Sequence, residues 1–209
     1  MEQIFNFDLG KISNLSEKEM SERKKSLDFF LESGFPNKKD ENWKFTDLNS
    51  IISKNFNNIT NNLDFEIEKK INFIQDFEHN FIITVNGSLK KSDMKFEEKG
   101  KIKIENFNKL EDFKLQSNNN LFHLNKALSS GGYDLEIREN YKCKKPIVIY
   151  NYFTSKLDNK IINNSNKITL KENTELILIE YNINEKSKFL KNTFEKINIF
   201  NGSILKNIS

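Results

Sequence analysis

The stretch from Tyr133 to Ser209 constrains the fold most. Strand-like runs begin near Tyr133, Ile147, Ile161, Leu176 and Phe194, and the first three steps are 14, 14 and 15 residues. No helical periodicity separates them. A parallel pair joined by a βαβ crossover needs a dozen or more connecting residues, usually helical. Connections such as Thr154–Lys160 are too short for that. Two architectures remain: antiparallel hairpins in a sandwich or barrel, or a β-helix whose strands wind in coils. On residue pattern alone, base rates favour the antiparallel one. Asn163-Asn164-Ser165-Asn166 reads as a corner in either, because Asn tolerates left-handed geometry. The runs are too dissimilar to form a sequence repeat.

The first half is mixed. Ser16 and Glu19 form a capping box that opens a helix over about residues 16–33. Met20, Leu27 and Leu31, with Phe30 beside them, give it an apolar stripe, and Gly34 and Pro36 end it. A helical turn is expected from Thr46 or Asp47 through Ile52, and residues 53–62 read as an Asn-rich loop. Leu63, Phe65 and Ile67 alternate with acidic residues as in a strand, and Phe81–Val85 runs into the hairpin signal Asn86-Gly87. With Ile102 and Ile104, these predict a small sheet near the first helix. Leu121, Leu124 and Leu128 mark a second helix over about 120–129, closed by Gly131-Gly132.

The chemical inventory is narrow. A single Cys (Cys143) excludes an intrachain disulfide and a four-Cys metal or cluster site. Cys143 lies among lysines, which lower a thiol's pKa, but has no His nearby in sequence to act as base, so it reads as a turn residue. His79 and His123 have no second ligand at metal spacing, and no phosphate-cradling loop or nucleophile motif is present. The charge is nearly balanced at +3, and only two of 33 basic residues are Arg, which argues against a nucleic-acid reader. No run approaches the ~18 apolar residues of a membrane span and no signal peptide opens the chain, so a soluble cytoplasmic protein is expected. Asn occurs 32 times, which reads first as AT-rich coding bias. The 19 Phe, 25 Ile and 19 Leu supply material for a core, which makes disorder throughout untenable.

Three segments resemble a known family. The first is Gly34-Phe35-Pro36 followed by Glu41-Asn42-Trp43-Lys44-Phe45-Thr46-Asp47-Leu48. The second comprises Phe122, Leu124-Asn125, Ala127, Gly131-Gly132, Leu135, Ile137 and Lys145-Pro146-Ile147. The third is Asn166-Lys167-Ile168 with Glu172 to Leu176, running into Ile179-Glu180. Together they resemble the SufB/SufD family, scaffold subunits of the SUF iron–sulfur cluster assembly machinery, and the tryptophan motif resembles the SufD branch. Phe45 stands where the family usually has Tyr.

The resemblance implies a mainly β fold: the first coils of a right-handed parallel β-helix over 119–209, preceded by a small α+β N-terminal domain over 1–118. It implies a non-enzymatic scaffold that pairs with SufB through the β-helix. It also implies binding of the SufC ATPase through a C-terminal region beyond this sequence. The cluster belongs to the whole complex, so no catalytic, cofactor or metal residue is carried over. Gly34, Pro36, Glu41, Trp43, Lys44, Thr46, Asn125 and Pro146 are the candidate motif residues, with structural or interaction roles. The sequence stops amid a strand pattern, so the core is expected to be truncated, with an unpaired last edge prone to self-association. Two other readings stay open: a secreted-type β-helix carbohydrate-active enzyme, which needs clustered carboxylates often with Ca²⁺, and a single-stranded nucleic-acid-binding module using Lys and aromatics.

Overall fold

A computed structural model describes residues 5–12, 15–38, 40–56, 58–61, 71–107 and 119–209. The expected strand at Leu63–Ile67 lies outside the described residues. The first helix, α1 (Glu17–Ser33), starts where the capping box places it. Ser16 accepts from the Glu19 N–H, and the Glu19 carboxylate accepts from Ser16. Its buried face is Arg23, Ser26, Leu27 and Phe30, one position away from the expected stripe, and Leu31 is exposed. Helices α2 (Leu48–Asn55) and α3 (Asn120–Leu128) follow. Asp47 caps α2 and Asn119 caps α3, each accepting from backbone N–H groups of the first turn.

Eleven strands among the described residues fall into two mixed sheets. From Tyr133 onward, successive strands alternate between them. Strands β6 (Tyr133–Ile137), β8 (Lys160–Leu170) and β10 (Leu190–Ile199) lie in one sheet, β7 (Ile147–Phe153), β9 (Glu175–Asn184) and β11 (Ile204–Ile208) in the other. Each pairs parallel with the next strand but one, at Asp134↔Lys167, Ile147↔Leu178, Ile161↔Leu190 and Glu175↔Ile204. The antiparallel expectation from residue pattern is therefore wrong for this half. Short loops are compatible with parallel pairing because each one carries the chain across to the opposite sheet rather than back to its neighbour.

The N-terminal strands do not form a separate small sheet. Strand β3 (Asn80–Val85) pairs parallel with β7 and antiparallel with β4 (Ser88–Asp93), through the expected Asn86-Gly87 turn. Strand β5 (Ile102–Asn106) pairs antiparallel with β6. The short strands β1 (Phe5–Asn6) and β2 (Ile59–Asn61) reach the edge of β8, so the Asn-rich stretch expected as loop contains a strand.

The layers are read from alternation. Ile147 and Ile149 of β7 face Leu135, Ile137, Ile168 and Leu170 across the interior between the sheets. Val148, Tyr150 and Tyr152 point the other way and are covered by Ile71, Phe73 and Ile74. All seven residues of β7 are buried, as in a parallel strand covered on both faces. On the outer face of the first sheet, Phe30, Ile52, Leu124 and Leu128 pack with Ile161. Gly132 sits where the chain passes against β8: a Cβ there would lie 1.8 Å from the Ser165 carbonyl oxygen.

Asn163–Asn166 is not a corner. It lies inside β8, fully paired with β10. Asn140, Asn159 and Asn173, each with φ between 56° and 57°, and Lys186 with φ 63° take left-handed backbone between strands instead.

Candidate functional site

The tryptophan segment is built from the end of α1 outward. Gly34 takes φ 71° at the helix end, and its N–H bonds the Phe30 carbonyl at 2.7 Å. Phe35 turns inward, edge-on to Phe30 at 5.0 Å, and Pro36 is buried with it. The Pro36 carbonyl accepts from Asn49 of α2. Asp40 accepts from the Asn37 N–H and starts a single 3₁₀ turn, Glu41–Trp43, after which the Thr46 N–H bonds the Trp43 carbonyl. Trp43 is half-buried and, with Pro36, Asp40, Glu41, Asn119 and Asn120, lines an open cavity of about 380 Å³. Glu41 and Lys44 are exposed, and Phe45 is 87% exposed, with the Lys44 ammonium 5.0 Å from its ring centre.

Two of the other expected residues act inside the fold. Asn125 of α3 is buried and makes three bonds. Its amide donates to the Asn164 and Asn192 carbonyls, and its oxygen accepts from the Ser165 hydroxyl, which clamps α3 to β8 and β10. Pro146 heads β7, where a missing N–H is tolerated, and its carbonyl accepts from Asn80. Asn120 bonds the Gly34 carbonyl at 2.8 Å, so the tryptophan segment and the start of α3 are joined. The eight residues therefore fall into two groups, six along Gly34–Thr46 and two that lock the strands.

Sequence reasoning missed two residues. Arg23 is buried and donates to the Ala127 and Ser129 carbonyls at 2.9 and 2.8 Å, capping the end of α3. Burial lowers its pKa to about 10. Glu97 accepts from Asn80, from the Tyr141 hydroxyl and from the Lys144 and Lys145 N–H groups. Burial alone raises its pKa, but these four bonds outweigh it and hold the carboxyl below its ordinary value.

Neither His nor Cys forms a reactive centre. The Phe77 carbonyl can only accept, so the proton of His79 sits on Nδ1, and Nε2 accepts from the Tyr150 hydroxyl at 2.8 Å. His123 stacks on Phe29 at 4.0 Å. Burial, and secondarily the Glu97 charge, push the Cys143 thiol up to about 12, which leaves it protonated and unreactive. No group of three or more His, Cys, Asp or Glu among the described residues is arranged to hold a metal ion.

Residues 2–149 match the SufBD protein N-terminal region. The chain belongs to the SufBD family. That membership places it in SUF iron–sulfur cluster assembly, within the SufBCD complex, among proteins that are generally non-catalytic scaffolds. All eight motif residues lie inside the SufBD match. Comparison with curated proteins finds no match. No helix among the described residues is long and apolar enough to cross a membrane.

Proposed function

We propose that this SufBD chain is of the SufD type and acts by protein–protein contact as a cytoplasmic scaffold, with an N-terminal region over 1–118 and the first coils of a right-handed parallel β-helix over 119–209. The carrying observation is the strand order. Alternate strands stack in parallel at offsets near 30 residues, so each circuit of the chain adds one rung to both sheets. The Glu41-Asn42-Trp43-Lys44 segment supports the SufD branch.

In this reading the rungs propagate toward a pairing surface for SufB. SufC ATPase, in the same reading, is engaged through the complex that this family forms. The iron–sulfur cluster is cargo of the assembled complex, and no catalytic or cluster-ligating residue is assigned here. Exposed Phe45, beside Trp43 and Lys44, gives the N-terminal region a contact surface of its own.

Co-expression of the full-length gene product with SufB and SufC tests the proposal. A stable ternary complex on affinity capture and size exclusion is expected. Recovery of SufB and SufC as a complex that leaves this chain behind would remove the reading.

A further inference from the structure

The tripeptide Asn-Gly-Ser occurs twice, at 86–88 and at 201–203. Asn-Gly is the pair most prone to react with itself. A glycine, lacking a Cβ, lets its amide nitrogen approach the carboxamide carbon of the residue before it. Local sequence gives the two copies the same chemistry, but their surroundings differ.

Asn86-Gly87 is closed in. Asn86 is 1% exposed, and its carboxamide is clamped at both ends. Nδ2 donates to the Thr154 hydroxyl at 3.0 Å, and Oδ1 accepts from the Thr154 N–H at 3.0 Å. Gly87 lies against β8, with an Ile162 methyl 2.7 Å from where a Cβ would stand. Turning the Asn86 carboxamide toward the Gly87 nitrogen would break both bonds to Thr154, and a buried bond is expensive to leave unmade.

Asn201-Gly202 is open. Both residues are exposed, and neither the Asn201 carboxamide nor the Gly202 N–H has a hydrogen-bond partner among the described residues. The backbone around them is held. The Asn201 carbonyl accepts from the Asn173 N–H at 3.0 Å, and the Ser203 N–H bonds the Phe200 carbonyl at 3.2 Å. The carboxamide turns beside a positioned nitrogen with nothing to displace, which is the condition that favours an intramolecular attack.

We propose that Asn201 is a site of spontaneous deamidation and isomerisation whose conversion loosens β11, while the fold protects Asn86 in the same tripeptide. The Gly202 nitrogen gives up its proton to solvent base and bonds to Asn201 Cγ. The Cγ–Nδ2 bond breaks and Nδ2 leaves as ammonia, so a cyclic imide joins the two residues. Water then opens the ring. Cleavage of the new bond gives aspartate. Cleavage of the original peptide bond gives isoaspartate, whose main chain runs through Cβ and Cγ and is longer by one carbon. Either product adds a negative charge. The longer chain has to fit between two fixed points, the Asn173–Asn201 bond and the 2.8 Å bond from the Ile204 N–H to the Thr174 carbonyl, where β11 begins. Strand β11 has five residues and pairs only with β9 among the described strands, so its pairing is what gives way. The inference stands apart from the scaffold reading and survives a failed co-purification.

Prolonged incubation of the intact 209-residue chain in mildly alkaline buffer, followed by peptide mapping with mass spectrometry, tests it. The peptide holding Asn201 is expected to convert to aspartate and isoaspartate while the peptide holding Asn86 stays intact. In urea that unfolds the chain, both convert at comparable rates, because the fold and not the local sequence separates them. Amide hydrogen exchange at Ile204 is expected to be faster in the isoaspartate form than in the unmodified chain, with Leu178 of β9 unchanged. Equal conversion of the two asparagines in the folded chain overturns the proposal, as does an Asn201 that resists conversion when folded as Asn86 does. Unchanged exchange at Ile204 overturns the loosening of β11.

Discussion

Two glutamates respond to acid in opposite directions. Glu97 has a folded pKa below its unfolded value, because four donors favour the charged form. Its stability contribution is present in full above the ordinary carboxylate value of about 4.3 and is lost as pH falls through the lower folded value. Glu195 is the reverse. Burial first, and Glu180 second, raise its pKa above the unfolded value. Its charged form weakens the fold at neutral pH, and the penalty is relieved as pH falls through that raised value. Urea midpoints should separate them. Glu97→Gln is expected to lose about 1–2 kcal/mol at neutral pH, with the gap to wild type closing below about pH 4. Glu195→Gln is expected to be more stable than wild type at neutral pH, with that gain vanishing in acid.

Neither glutamate was legible in the sequence. The partners of Glu97 lie 17 to 48 positions away, beyond any local pattern. Arg23 was hidden for a related reason: a charged residue on the buried face of α1 displaced the apparent apolar stripe by one position, toward Leu31.

At the scale of elements, local chemistry was readable and pairing was not. The Ser16–Glu19 box and the Asn86-Gly87 hairpin fall where they were expected, since each is written in a few adjacent residues, whereas the second helix is closed by Ser129 and not by Gly131-Gly132, and Gly131 pairs with Asn164 instead. Parallel pairing is carried by contacts near 30 residues apart, beyond the reach of any local pattern. Many of the asparagines bond along the stacking direction. Thr84, Asn151 and Asn182 form one ladder at 2.7 and 3.1 Å, and Asn163–Asn192 and Asn164–Thr193 form two more. The corner is repeated as well. Asn140 and Asn173 share left-handed φ and a side-chain bond of 3.1 Å, and Gly202 takes φ 71° beside Asn173. An ordinary L residue in that region costs about 1–2 kcal/mol. Asn140→Val should therefore lower the urea-derived stability by about that amount, while Asn140→Gly loses only the side-chain bond. Equal losses in the two variants would mean that the bond, and not the backbone, sets the corner.

For the whole molecule, the two regions named from sequence share their sheets. Strand β7 is flanked by β3 on one side and β9 on the other, β6 borrows β5, and β8 borrows β2. Helix α3, which follows residue 118, packs on α1 and is capped by Arg23 from it. A chain beginning at 119 would expose one edge of β7 and the outer faces of both sheets, including Tyr150 and Ile161, which are buried in the intact chain. Those edges and faces are too extensive for a short stack of strands to bear in water. The expected outcome is a single cooperative urea transition for the intact chain, with far-ultraviolet circular dichroism and Trp43 fluorescence coincident. The separate 119–209 fragment is expected to show no cooperative transition. Two resolved transitions in the intact chain, or a cooperatively folded fragment, would mean that the β3–β7 and α1–α3 contacts join units already stable alone. The pairing points the other way: β3 of the N-terminal region is the strand beside which β7, and then β9, lie parallel.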